Sequence, residues 1–170
     1  LGSQPTADVS IALASSDASE GTIAPVSVTF TTADWNVAQT VTITGVEDLV
    51  QDGDIAYTIT LAQAVSSDPL YAAIDPADVS ASNSDDDAAG ISVTPVAGLI
   101  TTEAGGTASF AVVLGSQPTA DVSIALASSD AGEGTIAPAS LTFTAANWNV
   151  AQTVTVTGVN DLVQDGDIAY

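Results

Sequence analysis

Apolar and hydroxyl-bearing residues alternate along much of the chain. Val9, Ile11 and Leu13 are interleaved with Ser10, Ala12 and Ala14, and Val26, Val28 and Phe30 with Ser27 and Thr29. Val41 and Ile43 stand among Thr40, Thr42 and Thr44, and Ala108, Phe110, Val112 and Leu114 keep the same phase. A period of two puts one set of side chains on a buried face and leaves the other in water. Ile55–Leu61 alternates in the same way, and Phe110–Leu114 reads as a continuous strand. Gly, Pro, Asp and Asn punctuate these runs, and no stretch carries a long helical repeat. The expectation is an all-β chain, with Trp35 and Trp148 as core anchors.

The pattern recurs. Residues 1–57 reappear as residues 114–170, an offset of 113 residues, with seven of the 57 aligned positions different. Solenoid repeats have periods of about 20–50 residues, whereas a β-sandwich domain takes about 100. The expected architecture is therefore a tandem array of sandwich modules: residues 1–88 as one module lacking its first strands, and residues 89–170 as another lacking its last. Leu1 and Tyr170 both fall inside expected strands, which suggests a longer repetitive polypeptide with its module boundary near Asp87–Ile91.

Composition changes the picture at one point. The 170 residues hold 21 acidic side chains and no Lys, Arg or His, for a net charge of −21. Nucleic acid phosphates and anionic lipid surfaces select basic patches, so neither is an expected partner. The folded chain must bear its own repulsion, and a cation that binds only the folded form would relieve it. Disorder is not implied, because 46% of the residues are hydrophobic. Cys is absent, so no disulfide staples the fold. No apolar run approaches the roughly 18 residues needed to span a membrane.

The acids gather at turns. VEDLVQDGDIAY carries Glu47, Asp48, Asp52 and Asp54, and its second copy carries Asn160, Asp161, Asp165 and Asp167. SNSDDDAAG carries Asp85, Asp86 and Asp87; Asp17 and Asp130 follow ALASS; Glu103 lies in LITTEAGG. Calcium takes about six to eight hard oxygen ligands in flexible geometry, many of them carboxylates. Without His or Cys, metals that favour nitrogen or sulfur lose their usual ligands. Isolated acids such as Asp8, Asp68, Asp75 and Asp78 read instead as turn formers or solubilising charge. For Glu20 and Glu133 the two readings are balanced.

These motifs together resemble the Calx-β repeat of sodium–calcium exchangers, integrin β4 and large bacterial surface proteins. The matching elements are TTEAGGTASFAVVL with Glu103, SSD ending at Asp17 or Asp130, VEDLVQDGDIAYTITL, and NSDDDAAG. The resemblance implies seven-stranded immunoglobulin-like sandwiches that hold Ca²⁺ at one end. It implies ligands at Asp17, Glu47, Asp48, Asp52, Asp85, Asp86 and Asp87 in the first module, and at Glu103, Asp130, Asp161 and Asp165 in the second. Asp54 and Asp167 also match an acidic position. Asn160 replaces Glu47, keeping an oxygen but losing a charge.

Two functional readings follow. One is a structural repeat of a bacterial adhesin, filament or matrix protein, extracellular, with calcium stiffening the junctions. Its partners would be neighbouring repeats of the same polypeptide and like chains in a fibre. The alternative is a calcium-sensing regulatory module. Paired carboxylates also serve glycosidases, but no side chain here offers an imidazole, amine or guanidinium, and an enzyme is not expected.

Overall fold

The computed structural model describes residues 1–160 and 166–170, and every helix or strand assigned among them is a strand. No helix among the described residues is long and apolar enough to cross a membrane. The chain divides into two compact units, Leu1–Asp48 with Asp52–Asp85, and Leu49–Gln51 with Asp86–Tyr170.

The first unit contains β1 (Val9–Ser15), β2 (Gly21–Ala24), β3 (Ser27–Phe30), β4 (Thr42–Gly45), β5 (Ile55–Leu61), β6 (Val65–Ser66) and β7 (Val79–Asn83). Their pairing is antiparallel. One sheet runs in the order β3-β1-β5-β7, with β6 also pairing β1, and β2-β4 forms the other. Val9, Ile11 and Leu13 of β1 are buried with Val28, Tyr57 and Ile59, and Ile23 and Val41 pack against them. Burying each such side chain contributes roughly 1.5–3 kcal/mol, which is why the alternation survives as a sandwich core.

Two contacts fix local geometry in this unit. A Cβ built on Gly21 would overlap the Tyr57 ring, so the start of β2 must be glycine for that ring to pack against it. The Asp34 carboxylate closes the turn after β3, its Oδ1 accepting from Thr31 N–H at 2.6 Å and from Thr31 Oγ–H at 2.7 Å. In the second copy, Asn147 Oδ1 accepts from Thr144 N–H at 2.6 Å, so the turn needs an oxygen rather than a charge.

The second unit contains β8 (Ile91–Thr94), β9 (Thr107–Leu114), β10 (Val122–Ala125), β11 (Gly134–Ala137), β12 (Ser140–Phe143) and β13 (Gln152–Gly158). Its sheets are β11-β13-β9-β8 and β10-β12. Val112, Leu114, Leu141, Phe143 and Val154 form its buried core. Repeated segments keep their register: Gly21 faces Gly45 and Ala24 faces Thr42, while Gly134 faces Gly158 and Ala137 faces Thr155. Gly134 meets the Tyr170 ring as Gly21 meets Tyr57.

Strand length does not repeat with the sequence. VSIALAS forms seven strand residues in β1, where β5 and β6 pair with it, but only four in β10. Conversely, β4 has four residues and its near-identical counterpart β13 has seven, because β9 pairs with β13 from Gln152 to Thr157.

Three expectations from the sequence are corrected here. Val26 is 65% exposed, because it sits in the turn between β2 and β3 and not on the inward face of β3. Ile43 is also exposed, since only β2 pairs with its strand among the described residues. Trp148 is half-buried and packs against the second core, its carbonyl accepting from Leu114 N–H at 3.1 Å. Trp35 is half-buried without joining the first core, and no described strand of its unit stands where β9 stands beside Trp148.

Replacing Gly21 with Val should displace the Tyr57 ring and destabilise the first unit by about 1–3 kcal/mol, the usual cost of overpacking. Urea unfolding followed by tyrosine fluorescence measures this; an unchanged midpoint would mean the ring is free to move.

Candidate functional site

Antiparallel connections gather several strand ends in the first unit. Glu20 immediately precedes β2, and Val46 follows β4; Val46 N–H donates to the Glu20 carbonyl at 3.0 Å, extending the β2–β4 ladder by one rung. At the same end β5 begins and β7 finishes, because Ile55 faces Asn83. The loop from Val46 to Asp54 therefore emerges beside Glu20 and Asn83.

Three carboxylates converge there. Glu20, Asp48 and Asp52 each offer an oxygen, and these oxygens all lie within 4.8 Å of one another. Glu20 is buried, at 9% exposure, while Asp48 and Asp52 are exposed. Asn83 ties the group to the fold: its Nδ2 donates to the Val46 carbonyl at 2.7 Å and to Glu20 Oε2 at 3.3 Å. Gly45 leaves room for this amide, since a Cβ there would meet Asn83 Oδ1 at 2.5 Å. Carboxylates this close repel strongly unless a cation or protons intervene, and the chain has no basic side chain to offer.

Other candidates of this unit have structural partners. Asp54 Oδ1 accepts from Asp85 N–H at 3.1 Å, and Asp85 Oδ2 accepts from Gly53 N–H at 2.7 Å. This reciprocal clamp holds the loop against the end of β7, with Gly53 at φ 84°. Asp17 Oδ1 accepts from Ser19 Oγ–H at 2.5 Å and Ser19 N–H at 3.0 Å, closing the turn after β1. The Ser19 hydroxyl and then the Ser19 amide hold its carboxyl below the usual aspartate value. Glu47 is exposed. Asp68, read from sequence as an isolated turn acid, is 3% exposed and accepts from Thr6 N–H at 2.8 Å and Leu70 N–H at 2.9 Å. Those two amides hold its pKa below the usual value too.

In the second unit, Asp86 is exposed and Asp87 half-buried. Asp130 repeats the turn of Asp17, its Oδ1 accepting from Gly132 N–H at 2.9 Å. Glu133 occupies the position of Glu20, its carbonyl accepting from Val159 N–H at 2.9 Å. Glu103, Glu133, Asn160 and Asp167 line one cleft of this unit. Asp161 and Asp165, the counterparts of Asp48 and Asp52, lie outside the described residues.

Sequence reasoning left Glu20 undecided and did not weigh Asn83. The signal for Glu20 was its position directly before Gly21, opposite the residue that begins VEDL once β2 and β4 pair. Asn83 carries no charge, and only the β5–β7 register brings it to the group. The sequence matches no protein-family model, and the comparison with curated proteins gives no match.

The Asp17 turn generates a pH expectation. A carboxyl whose pKa is lowered by folding contributes stability above the ordinary value of about 3.9, and loses it as pH falls through the lower folded value. Asp17→Asn should therefore lower the unfolding midpoint at pH 7, with the difference from the parent shrinking below about pH 3.9. Urea midpoints taken from pH 7 to pH 2 check this, and a difference that stays constant with pH would contradict it.

Proposed function

We propose that this chain is a calcium-binding structural repeat of a long extracellular bacterial adhesin, filament or matrix protein, similar to Calx-β modules, with no catalytic role. The convergence of Glu20, Asp48 and Asp52 carries the reading. A partly buried cluster of hard oxygens in a chain without a cation suits Ca²⁺, which takes about six to eight oxygen ligands and tolerates irregular geometry. Glu20, Asp48 and Asp52 would hold the ion, which would neutralise their mutual repulsion. Magnesium usually keeps several waters and engages one or two carboxylates, so it fits less well.

The repeat supports a structural role. Near-identical copies suit a spacer whose task is length, because a recognition site needs to be distinctive in only one copy. One period of 113 residues would combine strands like β10, β12, β5 and β7 in one sheet with strands like β8, β9, β11 and β13 in the other. That is a two-sheet sandwich of the immunoglobulin-like kind, slightly richer in strands than the seven that the resemblance implies. Calcium bound at the acidic end of each module would relieve repulsion along the array and stiffen it.

At calcium concentrations a hundredfold above Kd, the ion should stabilise the chain by about 2.7 kcal/mol, raising the thermal midpoint by several degrees, with magnesium far less effective. Glu20→Gln should remove most of that rise while increasing the midpoint in chelator, because one repelling charge is gone. Differential scanning calorimetry with chelator, calcium and magnesium reads all three. A parent chain indifferent to calcium, or a variant with an undiminished response, would sink the proposal.

A further inference from the structure

We infer that the Asp52–Gly53 bond is a site of spontaneous backbone isomerisation, held in check by the clamp between Asp54 and Asp85. The sequence contains two Asx–Gly pairs, Asp52–Gly53 and Asp165–Gly166, one in each copy of QDGD. In such a pair the glycine amide nitrogen can attack the side-chain carboxyl carbon of the aspartic acid, because no Cβ on the following residue shields that nitrogen. The N–Cγ bond forms, the Cγ–OH bond breaks, and the amide proton leaves with the hydroxyl as water. Water then opens the five-membered imide at either carbonyl. Breaking the new N–Cγ bond restores Asp52; breaking the original N–C bond leaves isoaspartate, with the main chain running through Cβ and Cγ.

The fold leaves this bond accessible. Asp52, Gly53 and Asp54 are all exposed, and Gly53 lies before β5, outside its ladder with β7. A Cβ built on Gly53 would meet nothing within 4 Å, so packing does not shield the nitrogen. The restraint is the clamp itself: Gly53 N–H donates to Asp85 Oδ2 at 2.7 Å, and Asp85 N–H donates to Asp54 Oδ1 at 3.1 Å. To attack, the nitrogen must turn toward the Asp52 carboxyl and shed its proton, and a charge-assisted hydrogen bond opposes both. Gly53 reaches the clamp at φ 84°, a conformation that glycine adopts without strain. The same glycine thus permits the reaction and permits its restraint.

Asn83, which precedes the small residue Ser84, is protected differently. Its side-chain amide is engaged by Val46 and Glu20 and lies against Gly45, so its carboxamide carbon is held in place. At Asp52 the consequence of reaction is larger than one altered residue. Isoaspartate adds one atom to the main chain and shortens the carboxylate arm by one carbon. The Asp52 oxygen would leave the group it forms with Glu20 and Asp48, and the Gly53 amide would leave Asp85. One chemical step would open the clamp and dismantle the carboxylate cluster together. This assignment rests on covalent chemistry and the clamp, and it stands whether or not the cluster holds a cation.

The test incubates the full 170-residue chain for several weeks in warm, neutral buffer with chelator. Digestion with an Asp-specific endoproteinase, which does not cut before isoaspartate, and electron-transfer fragmentation then locate the product. A synthetic peptide Val50–Ile55 gives the unrestrained rate. Conversion at residue 52 should be slow in the parent chain and about tenfold faster in Asp85→Ala, reflecting the loss of one hydrogen bond to a charged group. Asp85→Asn keeps an oxygen acceptor and should fall between them; it carries the comparison if the alanine variant does not fold. The Asp165–Gly166 pair serves as reference within each molecule, and its rate should be the same in all three chains. A parent chain that converts at residue 52 as fast as the peptide would overturn the assignment. So would Asp85 variants no faster than the parent; slower ones would make the Asp85 carboxylate a base rather than a guard.

Discussion

A β-strand has no hydrogen bonds of its own, so each segment of this chain becomes a strand only by exchanging N–H and C=O groups with a neighbour. The repeat supplies internal controls for that statement. VSIALAS is a strand throughout when β3, β5 and β6 flank it, and only over Val122–Ala125 where β12 is its one partner among the described residues. AQTVTVTG is a strand from Gln152 onward beside β9, whereas AQTVTITG becomes one only at Thr42, where β2 is its one partner among the described residues. Identical or near-identical propensities thus give different lengths, and cross-strand pairing decides between them.

Burial follows pairing. Val154, the counterpart of Val41, is fully buried within β13 opposite Phe110 of β9, while Val41 is half-buried just before β4. The same sequence position is therefore core or margin according to whether its strand is covered on both edges. The acidic end obeys the same rule. Glu20 meets Asp48 and Asp52 because the β2–β4 ladder extends to Val46, and Asn83 reaches Glu20 and the Val46 carbonyl because β7 is in register with β5. Charge alone would scatter these groups; backbone pairing holds them together against their repulsion, which is the condition under which a cation gains most by binding.

The strands were largely legible because alternation is a local signal: β1, β5 and β9 lie where the apolar phase puts them. The exposures of Val26 and Ile43 were not, since neither the turn at Pro25 nor the pairing of β4 with β2 is written in a period of two. The acidic loop was legible as a cluster, but its members divide in ways spacing does not reveal. Asp48 and Asp52 turn toward Glu20, whereas Asp54 and Asp85 clamp each other's backbone and Asp17 closes its own turn. Asp34 and Asn147 show the reason: an oxygen that accepts amides serves a turn whether or not it is charged, so acidity by itself does not separate a ligand from a turn former.

Residue-resolved hydrogen exchange of the chain tests the central role of pairing most directly, because the repeat places the same sequence in two environments within one molecule. The amides of Ala14–Ser16 should exchange far more slowly than those of Ala127–Ser129, and the amides of Gln152–Val154 more slowly than those of Gln39–Val41. Equal protection within each pair would contradict the account, by showing that the sequence holds its strands without the neighbours assigned to them.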